Sequence, residues 1–144
     1  MAKKILVVED VEDSRSILVV MLQRYCGYET MEAATGLEAV EKAIADKPDL
    51  IVMDLGLPGM SGVDAAKILK ENPSTAHIPI VAHTAWSAER WGDRARDAGM
   101  IDFLQKPVPI KVMKETIEKL FLGLPHCYPY LEIAVCSSKV TPVI

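Results

Sequence analysis

The sequence predicts an alternating α/β domain, a parallel sheet with helices packed on both faces. Three observations predict it. Lys4 to Val8 and Leu50 to Met53 are apolar runs without polar alternation, the composition of strands buried on both faces. Each strand-like run is followed by a segment whose apolar residues recur at helical spacing, so strand and helix alternate strictly. The connections are short, and right-handed crossovers then lay every helix back onto the sheet. With 144 residues, half of them apolar, the chain has room for one domain with a full core and a short appendage.

The elements follow in order. Lys4 to Val8 is the first strand and ends on two carboxylates, Glu9 and Asp10. Asp13 or Ser14 is the expected cap of the first helix, whose Ile17, Leu18, Met21, Leu22 and Tyr25 lead to a stop at Gly27. Tyr28 to Ala33 is a more polar strand suited to a sheet edge. Thr35 and Gly36 open a second helix with Leu37, Val40, Ala43 and Ile44 inward, ended by Lys47-Pro48. Leu50 to Met53 is the third strand and delivers Asp54 to the carboxyl edge, where open α/β sheets carry their ligand crevice. Gly56, Pro58 and Gly59 then demand a shaped loop.

Gly62 to Glu71 is the third helix, with Val63, Ala66 and Leu69 inward and Asn72-Pro73 as its end. Ile78 to His83 is the fourth strand, with Thr84-Ala85-Trp86-Ser87 at its carboxyl end. A helix bearing Trp91, Ala95 and Ala98 runs to Gly99, and Ile101 to Gln105 is the fifth strand, followed by Lys106-Pro107. Pro109 starts the last helix, where Ile110, Met113, Ile117, Leu120, Phe121 and Leu124 keep 3-4 spacing. Residues 123–144 hold three prolines and no helical period, so they read as an appendage to a domain of residues 1–122. An apolar docking arm and an altered reading-frame tail both fit them.

Composition excludes several classes. A net charge of −4 weighs against a binder of nucleic-acid backbones, which carries a clustered positive face. The amino end is too short for a signal-peptide core or a bilayer span, so the expectation is a cytoplasmic chain. Cys26, Cys127 and Cys136 form no CxxC pair and are expected to be reduced thiols.

The strand ends gather Glu9, Asp10, Asp54, Thr84 and Lys106 on one rim. Clustered carboxylates repel one another and require a cation or a nearby ammonium. An all-oxygen anionic pocket suits Mg²⁺, which keeps positions for phosphate oxygens. Phosphoryl chemistry follows: Asp54 attacks, Mg²⁺ and Lys106 neutralise, and the Thr84 hydroxyl donates to a phosphoryl oxygen.

Glu9-Asp10, the loop Asp54-Leu55-Gly56-Leu57-Pro58-Gly59-Met60-Ser61-Gly62, Thr84-Ala85 and Lys106-Pro107 stand in register. In that order the chain resembles, over roughly residues 3–122, a response-regulator receiver domain of two-component phosphorelays, in the CheY-like superfamily. The resemblance implies a flavodoxin-like (βα)5 fold with strand order 2-1-3-4-5. It implies phosphoryl transfer to Asp54 from a histidine kinase or histidine phosphotransfer protein. Mg²⁺ would be held by Asp10, Asp54 and the backbone carbonyl of Gly56, with Glu9 acting through water, and the Lys106-Pro107 peptide would be cis. Switching would draw Thr84 inward with Phe103 following, remodelling the face of the fourth helix, fifth strand and fifth helix. An output protein or a second copy of the chain would bind that face. Gly56, which offers no side chain, and Trp86, large enough to shield an acyl phosphate, are the expected tuners of phosphoryl lifetime.

The expected function is thus a signalling switch with a self-catalysed step, not a metabolic enzyme. His83 is expected opposite Thr84 on the strand, as a buried hydrogen-bonded imidazole, and Trp91 as packing. No DNA-binding segment follows residue 122, so output by protein contact or phosphate delivery is expected, from a stand-alone protein or a piece of a hybrid kinase. Two rivals remain. A haloacid-dehalogenase-like phosphohydrolase would need a second Asp where Gly56 stands, and a docking scaffold would need no phosphorylation.

Overall fold

The computed structural model describes residues 2–123; Leu124, Cys127, Cys136 and all of the expected appendage beyond Gly123 lie outside the described residues. The elements are β1 (Lys4–Val8), α1 (Glu12–Arg24), β2 (Glu29–Ala33), α2 (Gly36–Asp46), β3 (Leu50–Met53), α3 (Gly62–Glu71), β4 (Ile80–Thr84), α4 (Ala88–Asp97), β5 (Asp102–Gln105) and α5 (Ile110–Leu122). All strand pairs are parallel and the order is β2-β1-β3-β4-β5, the flavodoxin-like arrangement. No helix among the described residues is long and apolar enough to cross a membrane.

The sheet sorts its side chains by the two-residue period of a strand. Leu6, Val8, Ile51, Met53, Ile80, Ala82 and Phe103 pack on one face under α2, α3 and α4. Ile5, Val7, Leu50, Val52, Val81 and Leu104 pack on the other with Leu18 and Leu22 of α1 and Met113 and Ile117 of α5. Each large aliphatic side chain buried this way contributes roughly 1.5–3 kcal/mol relative to exposure.

Several residues expected inward face water instead. Ile17, Tyr25, Leu37 and Ile44 are exposed, while α2 buries Gly36, Ala39, Val40 and Ala43. Helix α1 instead turns Leu18 and Leu22 inward, and the inward stripe of α2 is made mostly of small residues, where a Cβ on Gly36 would meet the carbonyl oxygen of Met60, in the loop before α3, at 2.8 Å. Helix α1 begins at Glu12 with Val11 at its cap, without a side-chain hydrogen bond, so Asp13 and Ser14 lie within the helix. Thr35 does cap α2, accepting from Glu38 N, while Glu38 accepts from Ala34 N. Ile78 precedes β4 and Ile101 precedes β5, shortening both expected strands at their starts, and Thr84 is the last residue of β4.

Candidate functional site

Three backbone hydrogen bonds continue the sheet past its carboxyl edge and fix the rim. Glu9 N donates to Ala33 O (3.0 Å), Asp54 N to Val8 O (3.0 Å) and Lys106 N to Thr84 O (2.8 Å). The side chains that follow these strands therefore converge. Carboxylate oxygens of Glu9, Asp10 and Asp54 lie within 4.8 Å of one another. Lys106 Nζ stands 2.9 Å from Glu9 Oε1 and 3.5 Å from Asp54 Oδ2. Gly56 N donates to Asp54 Oδ1 at 3.2 Å, and the fully buried Thr84 accepts from Trp86 N at 3.2 Å.

Burial divides the acids. Glu9 is 5% exposed and Asp10 is open to solvent. Desolvation above all, then the neighbouring Asp54 carboxylate, pushes the Glu9 carboxyl up to about 7, against the pull of Lys106. Asp54 also suffers desolvation, but hydrogen bonds to Glu9 and Thr84, the Lys106 charge and the Gly56 N–H together hold it below the ordinary aspartate value. As pH falls, a proton therefore goes to Glu9 before Asp54.

The donor set fits a hard divalent cation. It is all oxygen and anionic, and buried Glu9 Oε2 has no hydrogen-bond partner. The Lys106 ammonium engages Glu9 Oε1 and not Oε2.

The loop after Asp54 is shaped by close approach. A Cβ on Gly62 would sit 2.1 Å from the Asp54 carbonyl oxygen, so only glycine lets α3 start directly against the Asp54 backbone. Ser61 Oγ accepts from Asp64 N and caps that helix. On the other side of the pocket a Cβ on Gly56 would meet ring atoms of Trp86 at 3.0–3.2 Å. The Lys106–Pro107 peptide bond is cis. Phe103 is 2% exposed and pairs in register with Ala82, two residues before Thr84.

His83 lies on the opposite face from Thr84 but is only half-buried, lining a cleft between α1 and α5, and it makes no hydrogen bond among the described residues. The imidazole is thus not the hydrogen-bonded one expected, because the wall beside it is mostly apolar, with Leu18, Met21, Val108 and Met113. Two residues that sequence reasoning passed over help build the site. Arg15 Nη1 donates to Glu9 O at 2.8 Å while its Nε pairs with Glu32 at 3.0 Å, fixing the backbone of the acidic pair. Gln105 accepts from Ala88 N at 3.0 Å and ties the start of α4 to β5. Neither contact leaves a local sequence signal, because the partners are brought together by the fold.

The family model described as response regulator receiver domain matches residues 5–118. The chain belongs to that family. As a receiver domain it is similar to the polar-differentiation response regulators DivK of Brucella anthropi and Brucella ovis. Each is 37% identical over 123 residues, which cover 85% of this chain and 98% of theirs. Among solved structures the receiver domain resembles the chemotaxis response regulator CheY4 of Vibrio cholerae (TM-score 0.77, 27% identity, 83% of this chain and 99% of that one). It also resembles the receiver domain of the sensor histidine kinase PA1611 from Pseudomonas aeruginosa PAO1 (TM-score 0.76, 30% identity, 85% and 99% covered). That receiver domain was solved with a magnesium ion coordinated in its active site cleft.

Proposed function

We propose that this receiver domain is a phosphorylation-controlled switch with Asp54 as the phosphoacceptor, working in the cytoplasm. One observation carries the reading: an anionic Asp54 carboxylate at the end of β3 faces the Lys106 ammonium at 3.5 Å, within a cluster of three acids. An Asp54 oxygen attacks phosphorus in the phosphohistidine of a histidine kinase or phosphotransfer protein. The P–N bond breaks, its electron pair stays on the imidazole nitrogen, and protonation restores neutral histidine. Lys106 offsets charge on an equatorial phosphoryl oxygen and the Thr84 hydroxyl donates to another. When held by Asp10, Asp54, the Gly56 carbonyl and, through water, Glu9, Mg²⁺ supplies further positive charge at those oxygens.

Drawing Thr84 toward the phosphoryl group opens space on its strand, and Phe103, in the next strand on the same face, follows. The Gln105–Ala88 bond passes the change to α4, so the face of α4, β5 and α5 presents a different surface to an output protein or a second copy. Gly56 leaves the phosphoryl site without a side-chain cover of its own, and the Trp86 ring supplies one, slowing hydrolysis.

Incubation with acetyl phosphate, with and without Mg²⁺, tests the reading by intact mass. A Mg²⁺-dependent gain of one phosphoryl group, absent in Asp54→Asn and removed by hydroxylamine, is the expected result. No gain in the wild type from acetyl phosphate or from a phosphohistidine donor would overturn it in favour of a docking scaffold.

A further inference from the structure

Trp86 does not cover the phosphoryl pocket alone. Its backbone is fixed by the N–H that donates to Thr84, but its ring reaches back over Gly56, beside the Gly56 N–H that holds Asp54 Oδ1. The same ring also meets Trp91 of α4, with centroids 4.5 Å apart and planes tilted by 39°. Trp91 in turn carries the Arg94 guanidinium 4.7 Å from its ring centroid. Trp91 and Arg94 form one wall of a cleft of about 460 Å³ between α3 and α4, opposite Val63, Asp64 and Lys67. A continuous stack therefore joins the phosphoryl pocket to a solvent-facing groove on the α3 side of α4.

We infer that Trp91 and Arg94 are positioning residues that set phosphoryl lifetime by holding Trp86 over Gly56. The inference rests on Asp54 being the phosphoacceptor. The step it controls is hydrolysis: a water oxygen attacks phosphorus, and the bond from phosphorus to the Asp54 carboxylate oxygen breaks. The electron pair returns to the carboxylate, and the water's proton leaves with inorganic phosphate or passes to solvent. A ring pressed against Gly56 narrows the approach of that water. The ring is free to lift only where nothing backs it, and Trp91 is the group that backs it. Arg94, exposed at the far end, clamps Trp91 by a cation–π contact.

The test loads wild type, Trp86→Ala, Trp91→Ala, Trp91→Phe, Arg94→Gln and the Trp86→Ala/Trp91→Ala double variant from acetyl phosphate or a phosphohistidine donor. The donor is then removed and phosphate release followed. Loss of the ring contact is expected to speed release by about two- to tenfold in Trp91→Ala, with Trp91→Phe close to wild type and Arg94→Gln faster by a smaller factor. The double variant should release phosphate no faster than Trp86→Ala, because Trp91 acts through Trp86. Arg94 is exposed, so its variant tests the idea without disturbing the core. Wild type that loads normally, with unchanged release in both Trp91→Ala and Arg94→Gln or with additive effects in the double variant, overturns this inference alone. Wild type that never loads overturns the acceptor assignment and this inference together.

Discussion

His83 and Thr84 are neighbours on β4, yet they serve two regions of opposite character. Thr84 joins the acid pocket of Glu9, Asp10, Asp54 and Lys106, packed shut on its far side by Trp86. His83 faces an apolar cleft of about 270 Å³ lined by Leu18, Met21, Val108 and Met113, which ends against the same Glu9 and Lys106. The polar pocket is built from strand-end backbone bonds, and the cleft is what α1 and α5 leave unfilled. Burial acts on both in one way, by disfavouring charge, and so with opposite signs on an acid and a base. It raises Glu9 from 4.5 to about 7 and, with Lys106 adding to it, lowers His83 from 6.5 to about 4.

Lys106 stands between the two regions, and its replacement gives the largest expected effect. Lys106→Met removes the only side-chain cation in an ion pair with Glu9 and Asp54 among the described residues. Its Mg²⁺-dependent phosphoryl uptake from acetyl phosphate should fall by on the order of 10²-fold. Uptake at the wild-type rate would mean that the ammonium belongs to the cleft and not to the acid pocket.

The two buried titrations sharpen the comparison through stability. Folded Glu9 binds its proton more tightly than the unfolded chain does. Its contribution is complete below pH 4.5 and is lost as pH rises to about 7 in Mg²⁺-free buffer, with an upper bound of ~3 kcal/mol. His83 runs the other way: its contribution is complete above pH 6.5 and is lost as pH falls to about 4. Urea midpoints of His83→Phe between pH 4.5 and 6.5 should therefore fall as pH rises, exposing the Glu9 slope. A smaller effect is expected in Glu9→Gln, where the midpoint should rise with pH through the same window, because His83 is less buried than Glu9 and is partly screened by water. Parallel profiles in the two variants would show that neither burial term is operating.

Much of this was legible in the chain. The runs Lys4 to Val8 and Leu50 to Met53 gave the central strands because nothing polar interrupts them, and the rim residues followed because each stands directly after a strand. The outward faces of α1 and α2 were not legible. Ile17, Leu37 and Ile44 keep helical spacing, but α1 buries Leu18 and Leu22 and α2 buries Gly36, Ala39, Val40 and Ala43, and only the packing reveals which stripe faces the sheet. The Trp86–Trp91 stack was invisible for a similar reason: one residue lies in a loop, the other in a helix, and neither spacing nor composition links them.

Local rules written in the sequence determined the order of elements, the parallel sheet and the set of groups on its carboxyl edge, because strand period and chain direction act residue by residue. Only the tertiary structure decided which acid takes up a proton first, which ring lies over Gly56 and which cleft stays open beside His83. Those depend on desolvation and on distances between residues far apart in the chain, as between Glu9 and Lys106 at 2.9 Å, and such distances exist only once the sheet and its helices have closed on one another.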